Sequence, residues 1–158
     1  MIAVSDASPL NYLILLGYAS VLADLFEHVW IPEAVLYELQ HPDAPQPVRS
    51  WFRSTPSWLS VRHEPFPSYL DLPANLHTGE TAAIQLAHYG KFQVVLLDDR
   101  DARCAAECHG LAVVGTLRLL AEASFAGLLS LSEAFGRLKQ TNFRASERLY
   151  ATLLKEMS

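Results

Sequence analysis

VVLLDDRDARCAA, residues 94–106, is the stretch on which the fold turns. Its four leading apolar residues, 94–97, read as a buried strand of a parallel sheet. Asp98, Asp99 and Asp101 follow at once, and an Ala-rich helical pattern continues from them. In open α/β sheets the site lies outside the carboxyl ends of the strands, where these acids fall. Three carboxylates within four residues repel one another, and a divalent cation with oxygen ligands would offset that. A solvated turn with an Asp N-cap opening the next helix accounts for the same residues. Taken alone, the local pattern leans towards the capped turn.

Downstream, the helix over 102–108 runs out near Gly110, and 111–114 reads as a second buried strand. Gly115 and Thr116 then open the helical segment LRLLAEASFAG. Residues 129–155 hold two more helical patterns, split near Thr141 and Asn142. Cys104 and Cys108 lie one turn apart and form no disulfide framework. With His109 they would give only three ligands on one helix, a poor tetrahedral set, so buried thiols are expected.

Upstream, HTGETAAIQLAHYG (77–90) is a helix with Thr78 as its expected N-cap, Glu80 in its first turn and Gly90 as its stop. Its alanines suit close packing on a sheet. Residues 41–74 are the least regular: a loop at 41–47, a short helix at 48–52, a strand at 58–62, and a loop over 64–75 marked by Pro65, Pro67 and Pro73. Trp51, Phe52 and Trp58 lie near Arg49, Arg53 and Arg62. Such interleaving can stack bases, although core packing is the commoner role. At the start, residues 1–5 form a strand running into Asp6, and Pro9 fits the first turn of the following helix. Gly17 ends that helix, 18–26 gives another, and 28–31 a strand. Pro32 then opens a helix carrying Glu33 and Glu38.

Strands alternating with helices predict one α/β domain over 1–158, a central parallel sheet flanked by helices, with a helical C-terminal part from about 129. Right-handed crossovers put Asp6 and Asp98/Asp99 on one edge of the sheet. The chain has 158 residues, half of them hydrophobic, enough for a sizeable core. Its net charge of −5 is unlike that of a non-specific nucleic-acid clamp. The charge is uneven, −7 over residues 1–117 and +2 from Arg118 onward. The opening MIAVSDASPL lacks a basic segment, and the apolar run over 10–25 is broken by Asn11, Gly17, Ser20 and Asp24. No membrane span and a cytoplasmic location are therefore expected.

Four acidic positions thus recur at element ends: Asp6, Glu38, Glu80 and Asp98/Asp99. In that order, VSDASPLNYL, IPEAVLYEL, HTGETAAIQLA and VVLLDDRDARCAA with LAVVGTLRLLAEA resemble a PIN-domain nuclease, of the subgroup related to VapC-type toxin ribonucleases. The resemblance spans nearly the whole chain and is weakest over 42–74. It implies Asp6, Glu38, Glu80 and Asp99 as catalytic acids, with Asp6, Glu80, Asp98 and Asp99 as ligands of Mg²⁺ or Mn²⁺. The family's usual Thr-x-Asp reads Leu97-Asp98-Asp99 here. Ser8 and Thr116 are candidates to supply the missing hydroxyl, and Asp101 is a candidate for the variable last acid. The resemblance further implies hydrolysis of RNA to 5′-phosphate and 3′-hydroxyl ends, a cognate antitoxin protein and a homodimer. A backbone-binding rim would draw on Arg100, Arg103, Arg118, Arg137, Lys139, Arg144 and Arg148, which sequence does not rank. The alternative is a non-catalytic PIN-like binding or regulatory module. Toprim-like, phosphatase-like and receiver-like readings fit less well, since VSDASP does not match a DxDxT nucleophile motif and no lysine falls in an expected late strand.

Overall fold

A computed structural model describes residues 1–63, 67 and 70–157. Five short strands form one all-parallel sheet: β1 (Ile2–Ser5), β2 (His28–Pro32), β3 (Leu59–Arg62), β4 (Val94–Leu96) and β5 (Ala112–Val114), in the order β3-β2-β1-β4-β5. Helices α1 (Ala7–Leu16) and α2 (Val21–Leu25) join β1 to β2, and α3 (Glu33–Gln40) and α4 (Gln46–Trp51) lead to β3. Helix α5 (Thr78–Tyr89) precedes β4, and α6 (Arg100–Cys108) joins β4 to β5. Helices α7 (Thr116–Phe125), α8 (Leu131–Leu138) and α9 (Glu147–Glu156) follow. This is the α/β architecture expected from the alternation of patterns. Among the described residues, no helix is long and apolar enough to cross a membrane.

Both faces of the sheet are covered at its centre, which is why β1 and β4 are apolar without a polar alternation, whereas the edge strand β3, Leu59-Ser60-Val61-Arg62, alternates. Ala3, Val29, Ile31, Leu59, Val94 and Leu96 pack into the larger core with α1, α3, α7 and α8. Val4, Val95 and Leu97 point the other way, onto Ala83, Ala87, Ala102, Ala105 and Ala106 of α5 and α6. The small alanines let these two helices lie close to the sheet.

The strand order places the site. From β1 the chain moves outward to β2 and β3, and from β4 it moves the opposite way to β5. The crevice between the ends of β1 and β4 is therefore a topological switch point. The register Ala3↔Val94, Val4↔Val95, Ser5↔Leu96 continues through a bond from the Asp6 N–H to the Leu96 carbonyl (3.0 Å). Asp6 and Asp98 consequently emerge at nearly the same level.

Several local expectations are corrected. His77, not Thr78, is the N-cap of α5, because the helix starts one residue earlier. Helix α2 is shorter than 18–26, and α6 begins at Arg100 because Asp99 caps it. Cys104 and Cys108 are exposed, not buried. Ala102, Ala105 and Ala106 occupy the sheet-facing side of α6, so positions 104 and 108 fall outside. The aromatic cluster is core: Trp51 packs on Phe52 and Trp58 at ring separations of 4.8 and 5.9 Å, and Phe52 is buried. Two of the arginines beside it have partners in the fold. The Arg49 Nε donates to the Ala44 carbonyl, and Arg62 lies over the Tyr89 ring. Of the loop expected over 64–75, residues 64–66, 68 and 69, Pro65 among them, lie outside the described residues.

Candidate acidic active site

Asp6 is the innermost residue of the site. The apolar β1 delivers it to the switch point, and it serves as N-cap residue of α1 without a side-chain cap bond. It is only 6% exposed, and its Oδ1 is buried without a hydrogen-bond partner. Burial pushes its carboxyl up to about 7; the Ala7 N–H offsets part of this, and the charges of Glu38, Glu80 and Asp98 add to it.

Two helices bring acids towards it. Helix α5 supplies Glu80 from its first turn, held where the carboxylate accepts the His77 backbone N–H (2.8 Å). Helix α3 supplies Glu38 from its second turn. Asp6, Glu38 and Glu80 line one small cleft of about 170 Å³ with Ala7, Ser8 and His77. Glu80 is buried as a residue while its carboxylate borders this cleft. Desolvation is the main cause raising Glu80, against the His77 N–H, with Asp99 and Asp101 adding to it. Glu38 is raised too, chiefly by desolvation, against the Gly79 N–H and His77, with Glu80 adding to it. Glu38 retains more solvent access than the other two, so its shift matters less energetically.

Gly79 makes the close approach of α3 and α5 workable. A Cβ there would overlap the Glu38 Oε1 and come within 3.1 Å of the Asp6 Oδ1. Sequence reading passed over both Gly79 and His77. The signal was available in HTGE: a glycine and a capping residue just ahead of an acid on a helix that must meet other acids.

The Asp98-Asp99 pair divides. Asp98 turns towards β5 and α1: its Oδ1 accepts the Thr116 N–H (2.7 Å), and its Oδ2 accepts both the Thr116 hydroxyl (2.7 Å) and the Ser8 hydroxyl (2.5 Å). The two hydroxyls singled out in the sequence therefore meet on this carboxylate. Asp99 is exposed and caps α6, its Oδ2 accepting the Ala102 N–H (3.0 Å). Asp101 accepts from the Asn75 side chain (3.1 Å) at the periphery.

Among the described residues no group of three or more His, Cys, Asp or Glu stands together in a way that could hold a metal ion by protein ligands alone. A hard cation that keeps several waters needs only a few carboxylates. The buried, unpartnered Asp6 Oδ1, bordered by Glu38 and Glu80, is a donor set of the right chemistry for one. The exclusion of any Cβ at Gly79 keeps that space open.

The family DUF3368, described as a PIN domain, matches residues 2–158. No curated protein matches the sequence. Among solved structures, the chain is similar to a PilT N-terminus domain protein, SSO1118 from the hyperthermophilic archaeon Sulfolobus solfataricus P2. The TM-score is 0.54 over 78% of this chain and 93% of that one, at 18% identity, a likeness of fold alone. With a match across almost its entire length, and acids gathered at the switch point of its strand order, the chain belongs to the PIN-domain family.

Proposed function

We propose that this protein is a divalent-metal-dependent endoribonuclease. PIN domains are typically nucleases and generally use divalent metal ions, and the observation that carries the reading here is Asp6. A carboxylate with one oxygen buried and unpaired, pushed up to about 7 beside two further acids, is unfavourable for the fold by itself. Such an arrangement makes sense as a site completed by a positive charge.

Asp6 and Glu80 would hold the ion, Mg²⁺ or Mn²⁺, with Asp99 near enough for its charge to act on Glu80. When bound, such an ion polarises the scissile phosphate and lowers the pKa of a water. Glu38, the most accessible of the three cleft acids, its carboxyl raised above the ordinary glutamate value chiefly by burial, would take a proton from the incoming water. Asp98 acts as a positioning residue. Its bonds to Ser8 and Thr116 tie the ends of β4, β5 and α1 together, and its charge adds a lesser contribution to the burial that raises Asp6.

The toxin role, with a cognate antitoxin and a homodimer, is part of the proposal. A mainly apolar groove of about 660 Å³ between α1 and α3 shares Ser8 and Glu38 with the acidic cleft. An antitoxin segment seated there would cover the site.

The test is incubation with a mixed RNA pool in Mg²⁺ or Mn²⁺, with a chelator control and Asp6→Asn in parallel. Metal-dependent cleavage that disappears in the variant, leaving 5′-phosphate ends, is the expected result. Absence of both cleavage and metal-induced thermal stabilisation would favour the non-catalytic module instead.

A further inference from the structure

Seven cations were candidates for a substrate-binding rim, and the fold sorts them. Arg118 is paired with Glu122 (4.0 Å) and Glu156 (3.3 Å). Lys139 is paired with Glu147 (2.9 Å) and lies over the Tyr150 ring, and Arg137 lies over Tyr18. Among the described residues Arg103 and Arg144 have no carboxylate partner, yet they line one pocket of about 240 Å³. Arg103 comes from α6 and Arg144 from the segment ahead of α9, so tertiary structure alone brings them together. Gly115 leaves room for the guanidinium: a Cβ there would lie 2.9 Å from the Arg103 Nη1 and 3.1 Å from the Asp98 Oδ1.

Asp98 lines the same pocket, but both its oxygens are already engaged, by the Thr116 N–H and by the hydroxyls of Thr116 and Ser8. Its hydrogen-bonded pair with Ser8 forms the wall between this pocket and the acidic cleft, since Ser8 lines the cleft. Two unpaired guanidiniums in a concave wall, one residue across from a cluster of acids in a protein of net charge −5, form a local exception to its acidity. Guanidinium geometry suits phosphate oxygens.

We propose that the pocket walled by Arg103 and Arg144 is a subsite for a backbone phosphate of the RNA strand, adjacent to the phosphate being cut. This rests on the nuclease reading for its position beside the cleft. The subsite reads charge, not base identity, so it anchors the strand without adding sequence preference.

The probe is a fluorescent single-stranded 2′-O-methyl oligoribonucleotide, with binding followed by anisotropy across a KCl series. Arg103→Met and Arg144→Met should each weaken binding several-fold at low salt. Each should also lower the slope of log K against log salt by about 0.7, the release expected per single-strand phosphate contact. Arg144→Lys should retain the slope, and Arg100→Met and Arg148→Met, outside the pocket, should leave it unchanged. An oligomer of the same length carrying abasic positions should bind with the same slope. An unaltered slope in the Arg103 and Arg144 variants, or an equal loss in the Arg100 and Arg148 controls, overturns the subsite. Cleavage of unmodified RNA by the same preparations is read separately. Cutting with an unaltered slope removes the subsite and keeps the nuclease. Pocket-dependent binding without cutting does the reverse.

Discussion

At the scale of single residues, Asp6 sets the energetics of the site. Its carboxyl lies at about 7 in the folded chain against 3.8 for an ordinary aspartate. Below both values the folded and unfolded states carry the same proton. Between them the unfolded state ionises while the folded state holds its proton, so stability falls as pH rises through this window. The full loss above pH 7 is on the order of 4 kcal/mol at most. Asp6→Asn should therefore raise the melting temperature of the metal-free protein at pH 8. It should also flatten the decline in stability between pH 5 and 8, while abolishing cleavage. Melts of both proteins in chelator at the two pH values check this; a variant less stable than wild type at pH 8 would contradict the assignment. Glu38 and Glu80 shift in the same direction and add to the slope.

At the scale of elements, α6 shows how one helix divides its duties. Asp99 caps its start, Ala102, Ala105 and Ala106 face the sheet, and Cys104 and Cys108 face outward. Ala106 is fully buried in the cluster between α6 and the sheet, so Ala106→Leu should overpack that cluster and lower stability by about 1–3 kcal/mol in urea unfolding. Cys104→Ser should change stability by less than about 0.5 kcal/mol. Both thiols should titrate with Ellman's reagent in the native protein, and reaction of either only after denaturation would restore the buried placement. The sequence carried the helix itself but not its orientation. Alanines and cysteines are similar in size and hydropathy, and only the position of the sheet decided which of them it covers.

At the scale of the whole molecule, four elements converge on one cleft, and a ligand that binds only this arrangement must stabilise all of it. Saturating Mn²⁺ should raise the melting temperature of the wild type, by the equivalent of about 2.7 kcal/mol at a hundredfold excess over Kd. The same titration of Asp6→Asn should give little shift. An equal shift in both would place the ion elsewhere.

The sequence by itself determined the parallel α/β class, because apolar runs of strand length alternated with helical patterns and each acid followed an apolar run or a capping residue. Its short motifs, through their resemblance to the PIN-domain family, also marked Asp6, Glu38 and Glu80. Tertiary structure decided the rest, because those decisions depend on contacts distant in sequence. It set Asp98 against Ser8, ninety positions away, and Asp99 on its own helix, a division that adjacent identical residues cannot announce. It showed that Gly79 must lack a Cβ, since the clash is with Glu38 on another helix. It also joined Arg103 to Arg144, whose pairing requires β4, β5 and the C-terminal helices to be in place first.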